Sequence, residues 1–211
     1  MSDPAELFDA ILTGNADKAE EVTKAAMAAG AEPTDLVQKY MIPAMAEVGK
    51  RFECNEYFVP ELLIAARAMK RSLELISPRL AEAGVEAAGR VVVGTVQGDL
   101  HDIGKNLVAS MLEGGGFEVI DLGVDVAPEK FVEVAQQKEG TIVGLSALLT
   151  TTMTTMKSVI EQLDAAGIRA TTKVMIGGAP ITQAYADEIG ADGYSDNASS
   201  AVTLARELAN R

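Results

Sequence analysis

The sequence predicts an α/β protein in two parts: an N-terminal four-helix bundle over residues 1–85, then a doubly wound parallel five-stranded sheet over residues 90–211. Three observations carry this. From Leu7 to Ile76 the apolar residues recur at the helical period. From Arg90 onward, short runs rich in Val and Ile alternate five times with helical patterns, the rhythm of a parallel sheet with crossover helices. Between them, residues 81–89 (Ala-Glu-Ala-Gly-Val-Glu-Ala-Ala-Gly) follow neither period and read as a linker.

In the first half, Leu7, Ile11 and Leu12 share one helical face, and Ala19, Val22, Ala26 and Met27 share another. Gly14 and Asn15 separate these helices and Gly30 ends the second. A third helix, capped by Thr34, runs through Tyr40 toward Phe52. Pro43 inside it predicts a kink or break, because proline lacks the N–H and its ring collides with the preceding turn. Tyr57-Phe58-Val59-Pro60 opens a longer fourth helix carrying Leu62, Leu63, Ala66, Met69, Leu73 and Ile76, with Pro60 suited to its first turn. Short loops between four amphipathic helices imply an antiparallel bundle. Met41, Met45 and Met69 are expected to fill gaps in its core.

In the second half, strands are expected at 91–95, 118–121, 142–146 and 173–176, with a short fifth near Gly193-Tyr194-Ser195. Helical patterns lie between and after them at 105–112, 128–138, 155–165, 181–189 and 199–208.

Composition narrows the function classes. The 211 residues are 48% hydrophobic with only 4% aromatic, so the core is one of Ala, Val, Ile, Leu and Met. A net charge of −13, from 31 acidic and 18 basic residues, argues against a phosphate-backbone partner, which needs a basic footprint. The one cysteine, Cys54, has no internal disulfide partner, and a thiolate zinc site needs several ligands. The first residues are acidic and unlike a signal peptide, and no apolar run approaches the ~20 residues that span a bilayer. The expected compartment is the cytoplasm, with neither nucleic acid nor membrane as partner.

The one histidine, His101, lies in Gly98-Asp99-Leu100-His101-Asp102-Ile103-Gly104, at the carboxyl end of the first strand, where open α/β sheets bind ligands. Asp99, two residues earlier, falls on the same side of an extended segment and suits an imidazole that ligates a metal through its other nitrogen. Small or hydroxylated residues recur at the other strand ends: Ser146 to Thr152, Gly177-Gly178-Ala179, and Ser195 to Ser199. Together they predict a deep, narrow slot, since glycine lets backbone approach a ligand closely. Nucleotide motifs fail on spacing. No glycine intervenes between Gly98 and Gly104, five residues rather than four separate them, and Asn106 rather than Ser or Thr follows Lys105. A receiver domain would need an acid where Ser146 stands.

Asp99-x-His101-x-x-Gly104, Ser146-x-Leu148 and Gly177-Gly178, in this order and spacing, resemble the cobalamin-binding signature. Glu47-Val48-Gly49-x-x-Phe52 and Tyr57-Phe58-Val59-Pro60-Glu61 are similar to the helical cap of methyl-transferring corrinoid proteins and of the cobalamin module of methionine synthase. The resemblance implies a flavodoxin-like, Rossmann-type sheet domain that binds cobalamin, cycling through its methylcobalamin form. It also implies roles. His101 would ligate cobalt from below in place of the cofactor's benzimidazole tail, with Gly98, Asp99, Asp102, Ile103 and Gly104 around it. The tail would thread between Ser146, Leu148 and Thr150 on one side and Gly177, Gly178 and Ala179 on the other, with Asn197 and Ala198 at its deeper end. Phe52 and Val59 would shield the upper, methyl-bearing face. His101, Asp99 and Thr152 would form a proton relay, Thr152 standing where the methionine synthase relay has a serine.

Blander readings stand beside these: Phe52 and Val59 as bundle core, Ser146 as a loop cap, and residues 150–152 as the N-terminal cap of the following helix. By resemblance the chain is a methyl carrier without turnover of its own. Its implied partners are a substrate-specific corrinoid methyltransferase, a second methyltransferase acting on a thiol or folate, and a reductive activating protein. A cobalamin-dependent sensor is the alternative, although such regulators usually carry a DNA-binding module and no basic patch exists here. A detached mutase module is disfavoured by the cap.

Overall fold

The computed structural model describes residues 4–82 and 87–210. The chain divides into two compact units, residues 1–87 with 113–116 and residues 88–112 with 117–211.

The first unit is helical: α1 (Ala5–Leu12), α2 (Ala16–Ala28), α3 (Pro33–Leu36), a π-helical turn (Val37–Met41), α4 (Ile42–Glu53) and α5 (Val59–Glu82). Its core is aliphatic, with Leu7, Ile11, Val22, Leu36, Met41, Val48, Leu62, Met69 and Ile76 fully buried. Asn15 caps α2, its side chain accepting the Lys18 N–H at 3.0 Å. Gly14 turns with φ +70°, and a Cβ there would lie 2.3 Å from Ile64 Cγ1, so the turn requires glycine twice over.

The third helix departs from expectation in two ways. Pro33 occupies its first turn with Glu32 before it, so Thr34 lies inside the helix rather than capping it. Proline's fixed φ suits that position. The kink expected at Pro43 is absorbed just upstream. There the Ile42 N–H bonds Val37 O, an i→i−5 step that shifts the hydrogen-bond register before the proline arrives.

The turn into α5 is pinned by side chains. Arg51 donates to Glu47 Oε1 (2.9 Å) and to the Tyr57 hydroxyl (3.2 Å), which itself donates to Leu12 O (3.2 Å). Glu61 accepts the Phe58 N–H at 2.9 Å, half of a capping box. Leu63, one of the apolar positions counted on this helix, is 47% exposed. Phe58, just before α5, and Val59 and Ile64 in its first turns are also exposed. Ala81 and Glu82, expected in the linker, end α5, while residues 83–86 of that linker lie outside the described residues.

The second unit is an all-parallel sheet of five strands: β1 (Arg90–Thr95), β2 (Glu118–Asp121), β3 (Thr141–Ser146), β4 (Lys173–Gly177) and β5 (Gly193–Tyr194), in the order β2-β1-β3-β4-β5. Helices α6 (Ile103–Gly114), α7 (Pro128–Ala135), α8 (Thr154–Ala165), α9 (Gln183–Ile189) and α10 (Ala198–Ala209) alternate with the strands. β1 is buried along its whole length, as a central strand covered on both faces must be. Phe131 of α7 packs so closely on β1 that a Cβ at Gly94 would meet its ring at 2.7 Å. β5 is an edge strand paired only through Met175↔Gly193 and Ile176↔Tyr194. From β1 the chain winds outward to β2, then crosses back past β1 to β3 and on to β4 and β5, so the switch point of the sheet lies at the carboxyl ends of β1 and β3. Among the described residues no helix is long and apolar enough to cross a membrane.

Candidate functional site

His101 sits at that switch point, in the loop between β1 and α6. The loop is built on Thr95, whose hydroxyl donates to His101 O at 2.8 Å, and turns at Gly98 with φ +87°. The imidazole is 52% exposed, whereas the Asp99 side chain beside it is fully buried. Asp99 Oδ1 accepts from the His101 N–H (3.1 Å) and lies 2.7 Å from His101 Nδ1. Its Oδ2 accepts from the Leu148 N–H (2.8 Å), the Leu149 N–H (3.2 Å) and the Thr152 hydroxyl (2.8 Å). One carboxylate thus joins the loop after β1 to the loop after β3, across the switch point.

Burial alone would push the Asp99 carboxyl up. The donors, led by the Leu148 N–H and His101, overcome it and hold the group well below the usual carboxylate range. Ionised Asp99 only accepts hydrogen bonds, so in the neutral imidazole the proton lies on Nδ1 and the lone pair on Nε2. Among the described residues no cluster of three His, Cys, Asp or Glu side chains is placed to hold a metal ion.

An apolar collar flanks His101. Leu100 (71% exposed), Ile103 (81%), Leu148 (43%) and Leu149 (42%) present apolar side chains outward from these two loops. A Cβ at Gly104 would meet nothing within 4 Å, so no protein contact there requires glycine.

The other expected site residues are placed as follows. Asp102 is exposed and accepts from Asn106 Nδ2 at 3.0 Å. Ser146 is half-buried at the end of β3, and its carbonyl accepts the Val96 N–H at 3.0 Å. Thr150 and Ala179 are exposed and Gly177 is half-buried. Gly178 has φ +133°, and a Cβ there would lie 1.9 Å from Ala147 O, so backbone-to-backbone packing alone already demands glycine. Asn197 caps α10, its Oδ1 accepting the Ser199 and Ser200 N–H groups at 2.9 Å each, and Ala198 is buried. Thr152 does not cap α8: its hydroxyl lies within reach of Asp99 Oδ2 and of Leu149 O (2.9 Å), and Met153 stands at the cap position. In the bundle, Phe52 is half-buried and Val59 is 39% exposed, so neither is closed core.

Sequence reasoning missed Leu100 and Leu149, whose only signal was an apolar side chain in a βα loop. It also missed Lys105 as a buried cation, its Nζ held by Asp121 Oδ1 (2.6 Å) and Asn106 Oδ1 (2.7 Å).

Known proteins match both units. Residues 89–203 match the B12 binding domain family and residues 5–77 match a second B12 binding domain family. Trimethylamine corrinoid protein 1 of Methanosarcina acetivorans is 45% identical over 206 residues, covering 97% of this chain and 95% of its own. This chain belongs to the corrinoid protein family. Two solved structures agree with that. A cobalamin-binding protein from Desulfitobacterium hafniense has a TM-score of 0.81 at 33% identity, covering 99% of each chain. The methanol:cobalamin methyltransferase complex MtaBC of Methanosarcina barkeri gives 0.85 at 30% identity, covering 97% of this chain and 78% of that one. The cofactor of this corrinoid protein is cobalamin, and the collar and lone imidazole described above fit it.

Proposed function

We propose that this corrinoid protein is the methyl carrier of a multi-component methyltransferase system, holding cobalamin base-off with His101 as the lower ligand. Between turns it would pass from a substrate-specific methyltransferase to a second one acting on a thiol or folate, with a reductive activating protein restoring the cofactor after adventitious oxidation. Relatives named for trimethylamine and dimethylamine, and the methanol complex, support a small methylated donor. When bound, cobalamin supplies a cobalt centre that takes up and gives up a methyl group.

The observation that carries the reading is the pairing of a half-exposed imidazole with a buried carboxylate at 2.7 Å. Asp99 keeps the proton on Nδ1, orients the ring and makes Nε2 a better donor. Thr152 fixes Asp99 in turn, and the three hydrogen-bonded residues would hold a proton beside the imidazole that would bind cobalt. Leu100, Ile103, Leu148 and Leu149 would exclude water from the lower face, and Phe52 and Val59 would shield the upper face. Ser146, Thr150, Gly177 and Ala179 would border the tail.

The test is anaerobic reconstitution of the wild type and His101→Ala with cobalamin. Each is then offered a methylamine or methanol with its methyltransferase while the visible spectrum is followed. Methylation of the wild type by one donor–enzyme pair, with a base-off oxidised spectrum and slower transfer in His101→Ala, is expected. No methylation with any pair, or identical behaviour of the variant, contradicts the reading.

A further inference from the structure

The loop that carries His101 is gripped from outside by one short segment, Asp121-Leu122-Gly123-Val124-Asp125, which runs beside it after β2. On the amino side of His101, Asp125 Oδ1 accepts the Gly98 N–H at 2.7 Å and the Asp125 N–H donates to Asp99 O at 3.0 Å. On the carboxyl side, Asp121 Oδ1 accepts from Lys105 Nζ at 2.6 Å. Lys105 is buried and also holds Asn106, which reaches back to Asp102, the residue after His101. The segment is itself anchored, with Leu122 N–H to Val93 O at 2.8 Å and Asp121 Oδ1 also accepting the Gly123 N–H at 2.9 Å.

Two features set Asp125 apart from ordinary loop structure. It has φ +53°, a left-handed conformation uncommon for a residue with a side chain. That conformation lets its carboxylate and its N–H reach two successive residues of one neighbouring loop. Those residues are Asp99, one member of the Asp99–His101 pair, and Gly98 just before it.

We propose that Asp121 and Asp125 are positioning residues for the axial ligand. They fix the loop at both ends, so that His101 meets cobalt at one height and the carrier does not drift to a histidine-off state between partners. The inference rests on histidine ligation as proposed above and adds that the segment after β2 sets its strength.

Asp125 is the residue to change, because Asp125→Gly removes the carboxylate while easing the left-handed backbone, and Asp125→Asn restores an acceptor. Hydrogen exchange in the cofactor-free protein reads the clamp directly. In Asp125→Gly the amides of residues 98–101 should exchange about fivefold faster, the worth of one hydrogen bond, and Asp125→Asn should restore them. In the cobalamin-loaded cobalt(II) form, the nitrogen splitting of the paramagnetic spectrum should fall in Asp125→Gly and return in Asp125→Asn, with His101→Ala as the histidine-off reference. Unchanged exchange in Asp125→Gly overturns the clamp. Faster exchange with unchanged splitting, where His101→Ala does lose it, overturns the claim that the clamp sets ligation. If His101→Ala keeps the splitting, histidine ligation itself fails, and the exchange arm still decides whether Asp125 holds the loop.

Discussion

Asp99 accepts hydrogen bonds from His101, Leu148, Leu149 and Thr152 with no exposed surface, so its charge is built into the fold as well as the site. Its carboxyl is held below the ordinary value of 3.8, so the stability it contributes is full above that value and is lost as pH falls below it. Asp99→Asn should cost about 2–4 kcal/mol in denaturant unfolding at neutral pH. That gap should stay level down to about pH 5 and narrow below pH 4, where the carboxyl takes up a proton in the unfolded chain but still resists it in the fold. A gap independent of pH down to 3 would contradict this assignment. The glycines separate two reasons for lacking a side chain. Gly178→Ala drives a Cβ into Ala147 O and should destabilise the apo-protein by about 1–3 kcal/mol. Gly104→Ala meets nothing and should leave stability unchanged or raise it by up to about 1 kcal/mol, while lowering cobalamin retention if the ring lies close by. Both are read by thermal unfolding with and without cofactor. Asp99 and His101 were legible because side-chain chemistry at fixed spacing is visible in one dimension, whereas Thr152 was reached only through the family resemblance. The Leu148 and Leu149 N–H groups were not, since a backbone donor has no signature in side-chain identity.

Helices and strands followed from periodicity because burial acts on every turn and every alternate residue of an element. The places where reading failed are those set by single hydrogen bonds. The π turn at Val37–Met41 answers to Pro43 six residues after it begins, and nothing in the apolar spacing distinguishes it from α. The first turns of α5 misled differently. Leu62 and Leu63 are adjacent and equally apolar, yet only Leu62 is buried. The turn before α5 depends on Tyr57, whose hydroxyl links Arg51 to the end of α1. Tyr57→Phe should therefore destabilise the bundle by about 1–2 kcal/mol in chemical denaturation, leaving the spectrum of bound cobalamin unchanged. An unaltered midpoint would mean that packing alone fixes the turn.

On the scale of the whole chain, the two units have separate aliphatic cores, and the change of rhythm near Arg90 made that division legible. Each unit also leaves apolar residues outside its core: Phe58, Val59, Leu63 and Ile64 on the bundle, and Leu100, Ile103, Leu148 and Leu149 on the sheet unit. Exposed apolar groups on so acidic a protein call for a ligand or a partner. If the bundle shields the methyl-bearing face, replacing Phe52 and Val59 together with Ala should speed anaerobic photolysis of the methylated protein several-fold at unchanged cobalt content. Equal photolysis rates would reduce both residues to bundle packing. The central claim is that His101 ligates cobalt, and the chain offers an unusually clean test because it contains one histidine. Protein grown with nitrogen-15 histidine, loaded with unlabelled cobalamin and reduced to cobalt(II), isolates that one ring in the paramagnetic spectrum. Ligation by His101 predicts that the triplet splitting from natural nitrogen becomes a doublet. A triplet that survives the label would show the cofactor's own base still on cobalt and would contradict the account.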